Sequence, residues 1–229
     1  MIKTTYLKWI VLLSLGFFGT TISSCNQDDD NEPTTVTDVD GNVYETVTIG
    51  NQVWMAENLK TTHYRNGEPI NYLTDEADWN NATAGAYCVY ENDEVSNAIF
   101  GMLYNGFAVQ DGRNLAPQGW HVATDADWTV LTDHLGGLAE AGGKLKETGF
   151  AHWSAPNIGA TNETGFTALG AGLRGSGHFT GLMNYGYWWT SSSYNADALW
   201  RRSMGSGTAV VSRADNPKTF GFSVRCVKD

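Results

Sequence analysis

The chain has 229 residues and a formal net charge of −11, with 17% charged residues beside nine tryptophans, ten tyrosines and 26 glycines. So acidic a chain is unsuited to nucleic-acid phosphate, which is gripped by lysine and arginine. Its glycine and aromatic content points to a loop-rich fold and away from a helical bundle.

Residues 1–24 read as a lipoprotein signal peptide. Lys3 and Lys8 form a basic start, and Trp9–Gly19 is an apolar run interrupted only by Ser14. That run is too short to span a bilayer but suits the core of a signal peptide. "TISSC" (21–25) then resembles the bacterial lipobox, in which the cysteine is acylated. Ordinary secretory cleavage, leaving Cys25 free, is the alternative. Two or more acyl chains on Cys25 would make the membrane a stable partner. Residues 25–36, "CNQDDDNEPTTV", read as an acidic flexible tether that cannot bury a core. An acidic run behind a lipidated cysteine resembles the surface-export signal of outer-membrane lipoproteins in Bacteroidetes-type bacteria. The expected address is therefore the outer membrane and cell surface of a Gram-negative bacterium; a plain spacer is the alternative.

Residues 37–229 suffice for one domain, expected as a monomer. Setting Cys25 aside leaves Cys88 and Cys226. In an oxidising compartment they could bridge, which the chain-entropy view values at about 5 kcal/mol for so long a loop. Two separate buried thiols are the alternative.

Asp40-Gly41, ahead of the Val43/Val47/Ile49 run, predicts a hairpin with a primed turn. The same segment superficially resembles a calcium loop, but glycine stands fourth and no glutamate stands twelfth. "NYLTDEADWNNATAG" predicts a short helix capped by Thr74, with Asp75 and Glu76 in its first turn. Ile99, Leu103 and Phe107 recur every four residues and predict an amphipathic helix over 95–108. In "GWHVATDADW" (119–128), His121, Asp125 and Asp127 crowd together like a site. Local chemistry explains them as a joint instead. Residues 120–122 are extended, Thr124 is an N-cap, and both aspartates lie in the first turn. Trp128, Leu131 and Leu135 follow as a buried stripe that Gly136-Gly137 ends.

From Gly149 onward the chain reads as strands joined by long loops. "GAGLRG" (170–175) fits a dinucleotide fingerprint, but "SGHFTG" behind it cannot open a helix, so a glycine-rich loop is predicted. No nucleophile elbow, P-loop or H-E-x-x-H run occurs, and no cofactor or metal is expected. "GYWWTSSS" (186–193) predicts a strand with Trp188 and Trp189 on opposite faces, one of them free to hold a sugar ring unless a loop covers it. Arg201-Arg202, directly after Trp200, would either clamp an acidic ligand or satisfy the protein's own carboxylates. Trp188, Trp189, Trp200 and Arg201 are therefore the candidate ligand-binding residues.

"DGNVYETVTIGNQVWMAENLKTTHYRNGEPI", "AYCVYEND", "FGMLYNGFA", "APQGWHVATDADWTVLTDHLGG", "GFTALGAGLRG", "GYWWTSSS" and "GFSVRCVKD" resemble, in order, the Fibrobacter succinogenes major paralogous domain over nearly all of 38–229. That family occurs on secreted and lipid-anchored bacterial proteins, and its molecular function is largely unassigned. The resemblance puts Cys88 and Cys226 at commonly occupied positions. Ala116 stands where some members carry a further cysteine, which favours pairing the two. "AYC", "GWHVATDADW" and the terminal "GFSVRC" are more distantly similar to formylglycine-generating, sulfatase-modifying domains. That likeness implies an α+β, C-type-lectin-like fold, irregular and loop-rich, with short helices around small antiparallel sheets. It does not imply their oxidation chemistry, because residues 193–222 lack the cysteine pair.

The expected function is recognition or adhesion toward glycans or surface proteins, without catalysis. The competing expectations are a hydrolase or modifying enzyme drawing on His178, Arg174 and Asp197, and a purely structural envelope component.

Overall fold

The computed structural model describes Met1 and residues 35–229. The expectations for the signal peptide and for acylation of Cys25 lie outside the described residues, as does all but the end of the tether. Thr35 and Val36, counted with the tether above, already pair in a strand.

The domain is α+β, with two sheets and short helices. The first sheet runs β1 (Thr35–Thr37), β2 (Val43–Ile49), β3 (Gln52–Met55), then β14 (Cys226–Lys228) and β7 (Trp120–Val122). The second has nine strands. From one edge they are β12 (Val211–Pro217), β11 (Ala198–Gly205), β10 (Tyr185–Ser193), β8 (Ala171–Gly175), β13 (Gly221–Phe222), β6 (Leu103–Asn105), β5 (Ala86–Cys88) and β4 (Asn71–Tyr72). β9 (His178–Leu182) pairs with β8 off that path. The helices are α1 (Glu76–Asn80), α2 (Glu94–Phe100), α3 (Gly106–Val109), α4 (Asp125–His134) and α5 (Leu138–Leu145). None among the described residues is long and apolar enough to cross a membrane.

Side-chain alternation along strands builds two cores at once. At Trp54/Met55, Trp188/Trp189 and Cys226/Val227, one neighbour enters each core. Met55, Trp189 and Cys226 join Tyr104, Leu199 and Phe222. Trp54, Trp188 and Val227 join the α4–α5 side with Trp128, Leu131 and Leu145. Edge-to-face pairs at 5.2–5.6 Å link Trp54, Trp128 and Phe166 there.

Long irregular segments need partners for their carbonyls. Three buried cations supply them without any carboxylate. Arg225 donates to the carbonyls of Met55, Phe166 and Thr167 and to Asn58 Oδ1. Arg174 donates to those of Leu73, Thr74, Asp75 and Gly177, its guanidinium between Trp79 and Phe179. Lys146 Nζ donates to Ile158, Gly205 and Thr208. A planar fork with five N–H groups suits such a cage, and a hydrogen bond from a charged donor contributes about 1.5–3 kcal/mol.

Several local expectations change. Asp40-Gly41 lies in a wider turn, in which the Asp38 carboxylate accepts from the backbone N–H of Asp40 and Asn42. The cap of α1 is Asp75, one residue past Thr74, accepting from Ala77 and Asp78 N–H. The 95–108 helix is broken: α2 ends at Gly101 (φ 76°), β6 follows, and α3 is a separate single turn. A Cβ at Gly101 would lie 3.0 Å from Asn58 Cβ and Leu59 O, so the close approach fixes the break. "GAGLRG" is no loop. It contributes β8, closed onto β9 through Ser176 and Gly177, both at positive φ. The α4 joint forms as read, with a full capping box between Thr124 and Asp127.

Candidate ligand-binding surface

Strands β10, β11 and β12 form an antiparallel ribbon whose register sets the chemistry of its two faces. Trp188 pairs with Arg202 and Trp189 with Arg201 across β10–β11, and Trp200 with Asp215 across β11–β12.

One face is closed. Trp188, Met204 and Val211 sink into the α4–α5 core. Arg202, with a side chain 1% exposed, donates through Nη1 to Asp125 at 2.6 Å. Arg213 grips the same carboxylate with Nε and Nη2 and lies 3.3 Å over the Trp200 ring. Tyr194 meets Trp200 edge-on at 4.9 Å. Burial opposes ionisation of Asp125, but the bonds from Arg213 and the charge of Arg202 hold it below its usual range. Trp200 is therefore half-buried, its face covered by Arg213.

The other face is open at one end. Trp189 is capped by Phe222 and Tyr104, but Tyr187 and Tyr185, two and four residues earlier, project on the same side past that core. Tyr187 stacks on Phe222 at 5.2 Å, and half of Tyr185 is exposed. The Arg201 guanidinium lies 5.2 Å from the Tyr187 ring; Nε donates to Asn216 Oδ1 at 2.9 Å and Nη1 donates to Ser203 Oγ. Burial pulls its pKa below that of a free guanidinium.

Of the four candidate residues, then, Trp188 and Trp189 are corrected. They do lie on opposite faces, but both are fully buried, with Nε1 donating to Asn58 Oδ1 and Tyr104 O. Neither offers a ring to a ligand. Arg202 serves Asp125 and Arg201 remains on the open face. Tyr185, Tyr187 and Asn216 were missed. The Tyr185/Tyr187/Trp189 spacing carried the signal, since every second residue shares a face.

The expected Cys88–Cys226 bridge is also corrected. Both are buried free thiols. Cys88 pairs with Leu103 in the nine-stranded sheet, whereas Cys226 pairs with Val122 in the other, and they occupy different cores. Burial pushes the Cys88 thiol up to about 12, and Cys226 is likewise raised, so both are unreactive.

No hydrogen bond or ion pair joins His178, Arg174 and Asp197 among the described residues, although β8 and β9 carry the first two side by side. His178 is exposed and faces Glu76 at 3.3 Å, every nitrogen of Arg174 is bound to carbonyls, and Asp197 lies in the β10–β11 turn. No group of three His, Cys, Asp or Glu side chains placed to hold a metal occurs among the described residues. A cavity of about 250 Å³ lies between β1 and 115–118. Its charged groups are engaged: Asp38 accepts from Tyr44 and Asn42, and Arg65 donates to the carbonyls of Ala116 and Trp120.

His121 is part of the α4 joint. Nε2 lies 3.0 Å from Asp127 and Nδ1 2.7 Å from Asp229, and only the imidazolium donates from both nitrogens. The bond to Asp127 raises its pKa against burial, and Asp229 adds to it. Asp127 is held at about 2 although burial opposes this, because His121 and Thr124 donate to it. The His121 contribution is therefore complete below its unfolded value of 6.5 and fades as pH rises through the raised folded value. That of Asp127 is complete above 3.8 and fades as pH falls toward about 2. Melting of wild type and His121→Asn across this range should show the largest gap at about pH 4–6 and a shrinking one in alkali. A gap independent of pH would rule the pairing out.

Against curated proteins and against solved structures the chain finds no match, so the likeness to sulfatase-modifying domains gains no support from them. A family model does match: over residues 47–228, nearly the whole described domain, the chain belongs to the Fibrobacter succinogenes major domain family.

Proposed function

We propose that this is a lipid-anchored protein of the outer membrane and cell surface, whose domain recognises glycans or surface proteins without catalysis. One observation carries the recognition reading: the β10–β12 ribbon is locked on one face by Arg202, Arg213 and Asp125, while the other presents Tyr185, Tyr187 and Arg201. Aromatic rings fixed on a rigid sheet lose little entropy on binding and bring large contact areas. Short elements joined by long segments that caged cations hold in place fit a C-type-lectin-like scaffold. Acylation of Cys25 and the acidic stretch behind it would supply anchor and reach.

The test is a glycan array together with an extract of envelope proteins, probed with the intact domain and with Tyr185→Ala/Tyr187→Ala. Wild type should retain a ligand that the double variant, still folded by circular dichroism, loses by tenfold or more. Absence of any retained ligand, or equal retention by both proteins, would leave a structural envelope role in its place. Mass spectrometry of the N-terminal peptide from shaved cells should show Cys25 acylated.

A further inference from the structure

The guanidiniums of the described residues fall into three sets. Arg202 and Arg213 share Asp125, and Arg113 holds Asp111 and Glu68. Arg65, Arg174 and Arg225 donate to backbone carbonyls. Arg201 alone rests on two neutral side chains, Ser203 and Asn216, and has no ion pair among the described residues. Asp215 attracts it only through space, and pairs in register with Trp200 on the ribbon's other face.

The donors around Arg201 are incompletely used. Nη2 forms no hydrogen bond among the described residues. Ser203, itself buried, accepts from Nη1 through Oγ and holds the guanidinium in place. Asn216 Oδ1 accepts from Nε, which leaves its Nδ2 amide protons. Two donor groups, Arg201 Nη2 and the Asn216 amide, thus share one side of the ribbon, and no carboxylate binds them there. Beside them stand Tyr187, fixed against Phe222, and Tyr185, 6.0 Å from Tyr187 and half exposed. The complement of donors next to apolar rings is an oxyanion attached to a ring with an apolar face. Charged hydrogen bonds of this kind are about twice as strong as neutral ones.

We infer that the open face of the β10–β12 ribbon binds a saccharide carrying a carboxylate or sulfate, its acid on Arg201 and Asn216 and its ring against Tyr187 and Tyr185. This rests on the recognition reading above and names its ligand class. The net charge of −11 narrows the class further. The protein's field repels a dense polyanion, so the ligand carries a single, terminal acid.

Three probes on one oligosaccharide core test this by calorimetry: a terminal uronic acid, its carboxyl-reduced counterpart, and a terminal sulfated sugar. Wild type should bind one or both acidic probes at least tenfold more tightly than the reduced one. Whichever acid binds better names the source. Arg201→Gln should erase that preference while keeping its fold by circular dichroism, and Tyr187→Ala should weaken all three. Equal binding of neutral and acidic probes, or a preference that survives Arg201→Gln, overturns the anion assignment and leaves the recognition reading standing. If no probe binds but the array yields another ligand, the assignment again falls alone. If nothing binds in either experiment, both fall.

Discussion

Arg225→Met is expected to lower unfolding free energy by about 4 kcal/mol, a large part of the 5–15 kcal/mol that domains possess. The guanidinium is fully buried and satisfies three carbonyls and one amide oxygen drawn from β3, the 166–167 segment and Asn58. Methionine fills much of the volume but leaves those oxygens without donors, at about 1–3 kcal/mol each. Relief from burying a charge offsets part of the sum. Arg225→Lys keeps the charge but not the fork, and should fall between the two. Urea denaturation at neutral pH gives the three values. A loss under 1 kcal/mol for the methionine variant would mean that the cage does not hold these segments.

The second large effect is expected at Gly172→Ala, about 3 kcal/mol. Gly172 has φ +66°, and a Cβ there would lie 2.6 Å from Thr180 O, 2.7 Å from the Tyr90 ring and 2.9 Å from Leu182 N. The left-handed backbone alone costs a non-glycine residue about 1–2 kcal/mol, and overpacking adds about 1–3. Gly41→Ala separates the two contributions. Gly41 has φ +86° with nothing within 4 Å of the built Cβ, so it should lose about 1 kcal/mol from conformation alone. Equal losses at the two positions would show that the β8–β9 hairpin yields to the methyl group without cost.

Legibility in the sequence followed the range of the interaction. The α4 cap was readable because Thr124, Asp127 and the Trp128 stripe act within a few residues of one another. Opposite placement of Trp188 and Trp189 followed from strand geometry in the same way. Their burial did not, because the covers come from α4 on one side and from β6 and β13 on the other. The 95–108 periodicity was real as a pattern. It gave way to a tertiary contact, Gly101 against Asn58 and Leu59, that no local window contains. An even number of cysteines likewise says nothing about which sheet each one enters. Of the open face, Arg201 was singled out beforehand. Tyr185 and Tyr187 were overshadowed by the larger indoles beside them, and Asn216 reaches Arg201 only through the β11–β12 register.

The place of β14 in the first sheet governs when this domain can form. Residues 226–228 sit between β3 and β7, and Asp229 closes the pairing with His121. A ribosome delivers β3 early and this central strand at the very end of the described chain. Until then Trp54 and Trp120 flank a gap, and the first sheet remains in two unjoined parts. Removing residues 226–228 should therefore leave β3 and β7 without the strand that joins them.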